Sequence, residues 1–262
     1  MQRPRKKLRT NAIFLSALWI ALLLASLTIL SSVVTPFLKS IQTETLVSLD
    51  WAGYAVASSN LFPQPQVVSV NGSWVIPRIN PSAVDTFSAV WIGIGGQADT
   101  TLIQAGSEQD SLDGKAIYSL WYELLPENSI TLNNITASPG DQISAIISLL
   151  DSKTNNWQIS IADLTTGACF TQNCYDQNFN YNSSRLTAEW IVERPTVNNQ
   201  ISVLADFGSV TFTGIYAKIG NTIGTVNAFS NYQVLMQDRQ NNPLVSVSGL
   251  NKAGTSFTVR YG

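Results

Sequence analysis

The segment from Val90 to Glu108 constrains the fold of this 262-residue chain more than any other stretch. It holds two apolar runs on either side of a glycine-rich break, and each run alternates between two kinds of side chain. Successive side chains of a strand point to opposite faces, so this alternation predicts two β-strands. One face of each strand is aliphatic, while the other carries Trp91 or Gln104 beside glycines. That second face is typical of the floor of a site.

Short strand-like runs separated by turn signals continue along the rest of the chain, without a long helical period. The predicted strands are Val67–Ile76, Ala89–Ile94, Thr101–Ala105, Ala116–Leu125, Gln142–Leu150, Trp157–Leu164, Thr187–Glu193, Ser209–Thr213, Ala228–Met236, Leu244–Val247 and Ser256–Tyr261. Regular short strands of this kind predict an all-β fold, a two-sheet antiparallel sandwich of the concanavalin-like jelly-roll type. We expect residues 51–262 to form this domain as a monomer.

The chain contains no histidine, which excludes Ser-His-Asp and Cys-His catalysis and HExxH zinc sites. A net charge of −2 gives no basic surface for nucleic acid. Two cysteines are too few for a zinc cluster. Catalysis would have to use carboxylates, amides, hydroxyls, lysine or metal–oxygen sites, and we assign no metal and no cofactor to the chain. The short spacing of Cys169 and Cys174 suits a disulfide across a loop, with two free thiols as the alternative.

The N-terminus predicts passage of the chain to or across a membrane. Residues 1–11 are rich in Lys and Arg, and residues 12–34 form a dense apolar run. About 20 apolar residues span a bilayer as a helix, and preceding positive charge keeps the N-terminus inside. Residues 12–34 are therefore a transmembrane anchor or a cleaved secretory signal, and residues 35–50 are a linker. The domain is expected to be extracellular, either anchored or secreted.

Two further predicted strands divide in the same way as the opening segment. One carries Trp121 and Glu123 opposite an apolar face, and the other carries Glu189 and Glu193. These faces could simply meet solvent. Solvent faces usually hold Lys, Thr and Ser, however, so tryptophans beside lone carboxylates favour a polar, aromatic cleft.

Several segments, taken in order, resemble the glutamic peptidases, the eqolisin or scytalidoglutamic peptidase family. These segments are Trp51–Tyr54, Asn71–Pro77, Trp91–Gly96, Leu102–Gly106, Trp121–Glu123, Pro139–Asp141, Asp163–Gly167, Ala188–Glu193 and Ala205–Thr213. The resemblance implies a curved two-sheet sandwich that binds polypeptide substrates. It also implies that Gln104 and Glu193 are the catalytic pair, and that Trp51, Trp91 and Glu123 line the substrate cleft. Trp121 joins the candidate substrate-binding residues because it shares their predicted face.

In the activity that this resemblance implies, Glu193 activates a water molecule and Gln104 stabilises the oxyanion. Glutamine does not titrate and an unperturbed glutamate has a pKa near 4.3, so an acid-acting endopeptidase insensitive to pepstatin is expected. The chain departs from the family at Gly95, where aspartate is common, and at Arg194 and Pro195, where an acidic and an aromatic residue usually follow. The alternative is a non-catalytic carbohydrate- or peptide-binding module whose tryptophans stack on sugar rings.

Overall fold

The computed structural model describes residues 43–97, 99–167 and 174–262, and the regular elements of these residues are almost all β-strands. The strands are β1 (Thr43–Ser48), β2 (Trp51–Ala57), β3 (Val67–Val75), β4 (Ala89–Gly95), β5 (Leu102–Leu112), β6 (Lys115–Leu124), β7 (Ile130–Thr131), β8 (Gln142–Asp151), β9 (Asn156–Asp163), β10 (Cys174–Asn180), β11 (Thr187–Glu193), β12 (Thr196–Val197), β13 (Gln200–Ile201), β14 (Ser209–Ile219), β15 (Thr222–Gly224), β16 (Ser230–Met236), β17 (Val245–Val247) and β18 (Ser256–Tyr261). A 3-10 turn spans Val226–Ala228.

The strands form two large sheets and one small hairpin. The first sheet has the order β1-β16-β2-β11-β4-β5-β6-β7, and the second has the order β10-β9-β8-β3-β14-β18-β17 with β15 paired to β14. Strands β12 and β13 pair only with each other. Because consecutive strands such as β4, β5 and β6 are direct neighbours, the chain segments that carry Trp91, Gln104 and Glu123 lie side by side.

The main core lies between the two sheets and takes every second residue of each strand. On β4 it takes Val90, Ile92 and Ile94, and on β11 it takes residues such as Trp190 and Val192. Burial of such aliphatic and aromatic side chains stabilises the fold by roughly 1.5–3 kcal/mol each. The alternate residues of the first sheet point away from the second sheet, onto what we call the outer face.

The structure corrects the predicted fold class in two respects. The fold prediction included a transmembrane helix, but no helix in residues 43–97, 99–167 and 174–262 is long and apolar enough to cross a membrane. Residues 12–34, where that helix was predicted, lie outside the described residues. The sheets are also not wholly antiparallel, because β1 pairs with β16 in parallel at the edge of the first sheet.

Two further predictions concern the chain termini and the cysteines. The segment predicted as a linker, residues 35–50, contains the edge strand Thr43–Ser48, since its backbone pairs with β16. The sheet therefore begins eight residues before Trp51. The predicted disulfide cannot be described, because Cys169 lies outside the described residues.

Candidate active site

The outer face of the first sheet carries every side chain predicted for the site. Gln104 on β5 pairs with Gly93 of β4 on one side and with Glu123 of β6 on the other. Glu193 ends β11 and pairs with Trp51 of β2. Alternation places all of them opposite the core residues of their strands. The sequence therefore predicted correctly which residues share this face.

Trp91 occupies the middle of the outer face because the neighbouring positions have no side chain. A Cβ at Gly93 would lie 2.8 Å from the indole of Trp91, and a Cβ at Gly106 would lie 2.6 Å from its Cβ. The indole therefore lies over Gly93 while its Nε1 donates a hydrogen bond of 2.6 Å to Oε2 of Glu193. Trp51 packs edge-on against the same indole, with ring centroids 4.9 Å apart at 79°.

The amide of Gln104 is held by its cross-strand neighbour. Its Nε2 donates a short hydrogen bond to Oε2 of Glu123, and its Oε1 is buried without a partner. Burial raises the pKa of Glu123, and the hydrogen bond from Gln104 opposes that rise. Because an amide nitrogen carries two hydrogens, one N–H of Gln104 is left for another acceptor. Glu123 thus orients the amide and leaves it one free donor.

Glu193 is a partly exposed carboxyl surrounded mainly by protein. Burial raises its pKa to about 8, and the hydrogen bond from Trp91 acts in the opposite direction. The charges of Asp50 and Glu123 raise the pKa further. Glu123, whose carboxyl holds Gln104, is thus near enough to influence Glu193 electrostatically.

Glu193 and Gln104 lie in the same sheet and on the same face, but each is hydrogen-bonded to a different residue, Trp91 and Glu123 respectively. Gln104 pairs with Gly93 whereas Glu193 pairs with Ala89, so the two are separated by β4 and by four positions along it. In an untwisted sheet this offset corresponds to roughly 16 Å between Cα atoms. The indole of Trp91 spans much of this interval, since it covers Gly93 and reaches Glu193.

The tryptophans pack together rather than presenting open ring faces. Trp91 is 0% exposed and Trp121 is 4% exposed, within an outer-face cluster that also contains Leu102 and Ile191. Only Trp51 of these three rings is partly exposed. The indole N–H of Trp121 is buried without a hydrogen-bond partner. Stacking on sugar rings needs accessible ring faces, so this packing does not favour the carbohydrate-binding alternative.

Two acidic residues of the outer face were not identified from the sequence. Glu108 and Asp110 continue the outward-facing positions of β5 beyond Gln104. Burial raises the pKa of Glu108, and burial together with the charge of Glu108 raises the pKa of Asp110 to about 7. The sequence pattern gave no signal for them, because residues 106–111 carry no apolar side chain that could alternate with the polar ones.

Glu189 also points to the outer face, yet it is completely buried. Both carboxyl oxygens of Glu189 and the Oγ1 of Thr187 are buried without a well-formed hydrogen bond, although the nearby Thr187 hydroxyl acts to lower the pKa of Glu189. Burial raises the pKa of Glu189 well above its ordinary value, and the charge of Asp99 adds to the rise. A carboxyl without a charged partner is stable in such surroundings when it is protonated and neutral.

Two characterised proteins are similar in sequence to this chain. Aspergillopepsin-2 of Aspergillus niger is 30% identical over 176 residues, which cover 66% of this chain and 59% of that protein. Scytalidopepsin B of Scytalidium lignicola is 27% identical over 160 residues, which cover 61% and 56%. The matched region thus spans less than two thirds of either relative.

The fold is similar to a solved structure of scytalido-glutamic peptidase with a transition state analog inhibitor. The match has a TM-score of 0.68 at 21% identity and covers 82% of this chain and 99% of that one. The family model described as the Peptidase A4 family matches residues 49–261, which include every described residue of the candidate site. The chain therefore belongs to the Peptidase A4 family, the eqolisin or glutamic peptidases.

Proposed function

We propose that this protein is a glutamic endopeptidase in which Glu193 and Gln104 act on a water molecule and a peptide carbonyl. The observation that carries the proposal is the oriented pair itself. A partly exposed carboxyl held by Trp91 shares the outer face with an amide held by Glu123. Family membership supports the same reading, as does the likeness to a structure solved with a transition state analog inhibitor.

In the proposed reaction, ionised Glu193 takes a proton from water, and the resulting hydroxide attacks the scissile carbonyl. The N–H of Gln104 that Glu123 does not occupy donates to the developing oxyanion, a contribution of about 2.7–4 kcal/mol in comparable sites. Protonated Glu193 then passes its proton to the leaving amine as the C–N bond breaks. The reaction proposed here places the water and the carbonyl between the side chains of Glu193 and Gln104, above the Trp91 indole that covers Gly93 and holds Glu193.

The raised pKa of Glu193 changes the expected pH dependence. With a pKa of about 8, the carboxylate that activates water becomes tenfold rarer for each unit that the pH falls below that value. The sequence alone suggested activity in mild acid from an unperturbed glutamate. The structure instead favours an acid limb at higher pH, with protonated Glu193 abundant as a proton donor below it.

The proposal is tested with the full chain on casein and on fluorogenic peptides from pH 3 to 8, in the presence of pepstatin. Wild type is compared with Glu193→Gln and Gln104→Ala, each checked for folding by circular dichroism. We expect cleavage by wild type and a large loss in both variants. Equal cleavage by all three proteins would remove the assignment of these two residues, and no cleavage by folded wild type would remove the peptidase proposal.

A further inference from the structure

A cavity of about 570 Å³ lies just beyond the end of β11, next to Glu193. Its wall is rich in groups that can donate hydrogen bonds or carry positive charge, and it is lined by Arg194, Thr196, Asn199, Gln200, Ile201, Asp238, Arg239 and Gln240. The cavity is formed where the β12–β13 hairpin faces the turn that follows β16. The proposed chemistry does not use any of these residues.

Arg194 is the unusual member of this wall. Its Nη2 donates a 2.6 Å hydrogen bond to the carbonyl oxygen of Leu49, but its Nε is buried without a partner. Within the described part of the chain it forms no ion pair, although the charges of Asp50 and Asp238 lie near enough to favour the charged guanidinium. Burial lowers the pKa of Arg194.

The carboxylate nearest the cavity is already engaged. Asp238 accepts hydrogen bonds from the backbone N–H groups of Gln240 and Asn242 and from the Asn242 side chain, which lower the pKa of Asp238. It therefore closes its own turn, and it interacts with Arg194 through their opposite charges. The second cation, Arg239, lies close enough to repel Arg194 electrostatically. The cavity thus combines two guanidinium groups with one carboxylate whose hydrogen bonds are made within its own turn.

The closeness of the cavity to Glu193 indicates which anion could bind in it. Arg194 directly follows Glu193, so their Cα atoms are about 3.8 Å apart. An extended peptide advances about 3.3 Å per residue, so groups a few residues from a scissile bond at Glu193 lie at a distance comparable to that of Arg194. The outer face carries the acidic residues Glu108, Asp110 and Glu123. The neighbouring cavity differs from it in carrying the two cations Arg194 and Arg239.

We propose that Arg194, with Arg239, forms a subsite that binds a carboxylate of the peptide substrate. The proposal rests on the peptidase function proposed above. A planar guanidinium offers several N–H donors to a carboxylate. In Arg194, Nε is buried and Nη2 donates to Leu49, so Nη1 is the nitrogen left for a substrate carboxylate. The carboxylate is either an acidic side chain near the scissile bond or the C-terminus of a short peptide, and both present the same chemistry to the subsite.

The test compares cleavage of three matched sets of fluorogenic peptides by the full chain at pH 6. One set has Glu at successive positions on either side of the scissile bond and an amidated C-terminus. The second has Gln at those positions and an amidated C-terminus, and the third has Gln with a free C-terminal carboxylate. At one position or at the C-terminus, wild type should prefer the carboxylate over the matched amide by about 10- to 100-fold in kcat/KM.

Arg194→Gln should reduce this ratio to near one, and Arg194→Lys should keep part of it because the charge remains. Arg239→Gln should reduce it less, and Arg260→Gln on the exposed end of β18 should leave it unchanged. The ratio should also disappear as the pH falls through about 4, where the peptide carboxylate becomes protonated. A wild-type ratio near one for every peptide, or an unchanged ratio in Arg194→Gln, would overturn the subsite.

Direct binding separates this inference from the peptidase proposal. Fluorescence anisotropy measures binding of the same peptides to Glu193→Gln, alone and combined with Arg194→Gln. Preferential binding of carboxylate peptides that is lost in the double variant supports the subsite even if wild type cleaves nothing. Cleavage by wild type without any Arg194-dependent preference in cleavage or binding refutes the subsite and leaves the peptidase proposal intact.

Discussion

The hydrogen bond from Trp91 to Glu193 makes a quantitative prediction about pH dependence. In Trp91→Phe the aromatic ring remains, but the 2.6 Å hydrogen bond from Nε1 to the carboxylate is lost. This bond favours the ionised form of Glu193, and its loss should therefore raise the pKa of Glu193 above the wild-type value of about 8. A hydrogen bond to a charged group contributes about 1.5–3 kcal/mol, which corresponds to a shift of about 1–2 pKa units.

The assay is the pH profile of kcat/KM on a neutral fluorogenic peptide, because this ratio reports ionisation of the free enzyme. The acid limb should move upward by about 1–2 pH units in Trp91→Phe. At a fixed pH below the limb, kcat/KM should then fall by about 10- to 100-fold. Thermal unfolding of the variant establishes that the outer-face cluster still packs.

Trp121→Phe is the matched control, since it removes an indole N–H from the same cluster that has no hydrogen-bond partner. Its acid limb should coincide with that of wild type. An unmoved limb in Trp91→Phe would show that the Glu193 carboxylate is not the working base. A wild-type plateau between pH 3 and 5 would show that the raised pKa of Glu193 does not govern catalysis.

Three further perturbations test the remaining parts of the site. Gln104→Ala should lower kcat by about 10²–10³ with little change in KM, measured by initial rates, because the oxyanion contact exists only in the transition state. Burial raises the pKa of Glu189 only in the folded state, so Glu189 ionises in the unfolded state at a lower pH than in the folded state. The free energy of unfolding of wild type should therefore fall as the pH rises from about 4.5 to the raised pKa, by up to about 1.4 kcal/mol per pH unit. Glu189→Gln should hold its melting temperature between pH 4 and 7 better than wild type, whereas the exposed-site control Glu127→Gln should follow wild type. Gly93→Ala should displace the Trp91 indole, because the new Cβ would lie 2.8 Å from its nearest atom, and should therefore reduce cleavage. Gly249→Ala is the control and should leave cleavage unchanged, because no atom lies within 4 Å of its Cβ.

The two-residue alternation carried most of the information about the outer face. It separated Gln104 from Ile103 and Ala105, and Glu193 from Val192, and the structure has the same division. Strand β11 was predicted with its observed bounds. Alternation succeeds here because one face of each strand is buried against the second sheet, so the pattern is strongly imposed.

The alternation could not predict the extent of a strand made of polar residues, or which strands pair and in what register. Strand β5 continues to Leu112, but residues 107–111 are all polar, so hydropathy gave no reason to extend the strand beyond Ala105. The parallel edge strand β1 depends on backbone pairing with β16, nearly 190 residues later in the chain. The offset between Gln104 and Glu193 likewise depends on cross-strand register, which the local sequence of either strand does not specify.

The raised pKa values of the outer face have a common physical origin, and it defines the conditions in which the site can work. Glu108, Asp110, Glu123, Glu189 and Glu193 are all shifted upward, with burial as the largest cause for each. The chain has no histidine, and no basic group contributes to the pKa shift of any of these five. Protonation keeps the face neutral in acid, whereas rising pH adds like charges to a desolvated surface and lowers stability. Catalysis by Glu193 needs its ionised form, which becomes more abundant as the pH rises. Activity should therefore peak at the pH where further ionisation of Glu193 is offset by loss of stability of the sheet that holds it. A variant such as Glu189→Gln, which removes one buried ionisable group without touching the catalytic pair, should therefore extend the active range toward higher pH, and an unchanged upper limit would show that unfolding does not set it.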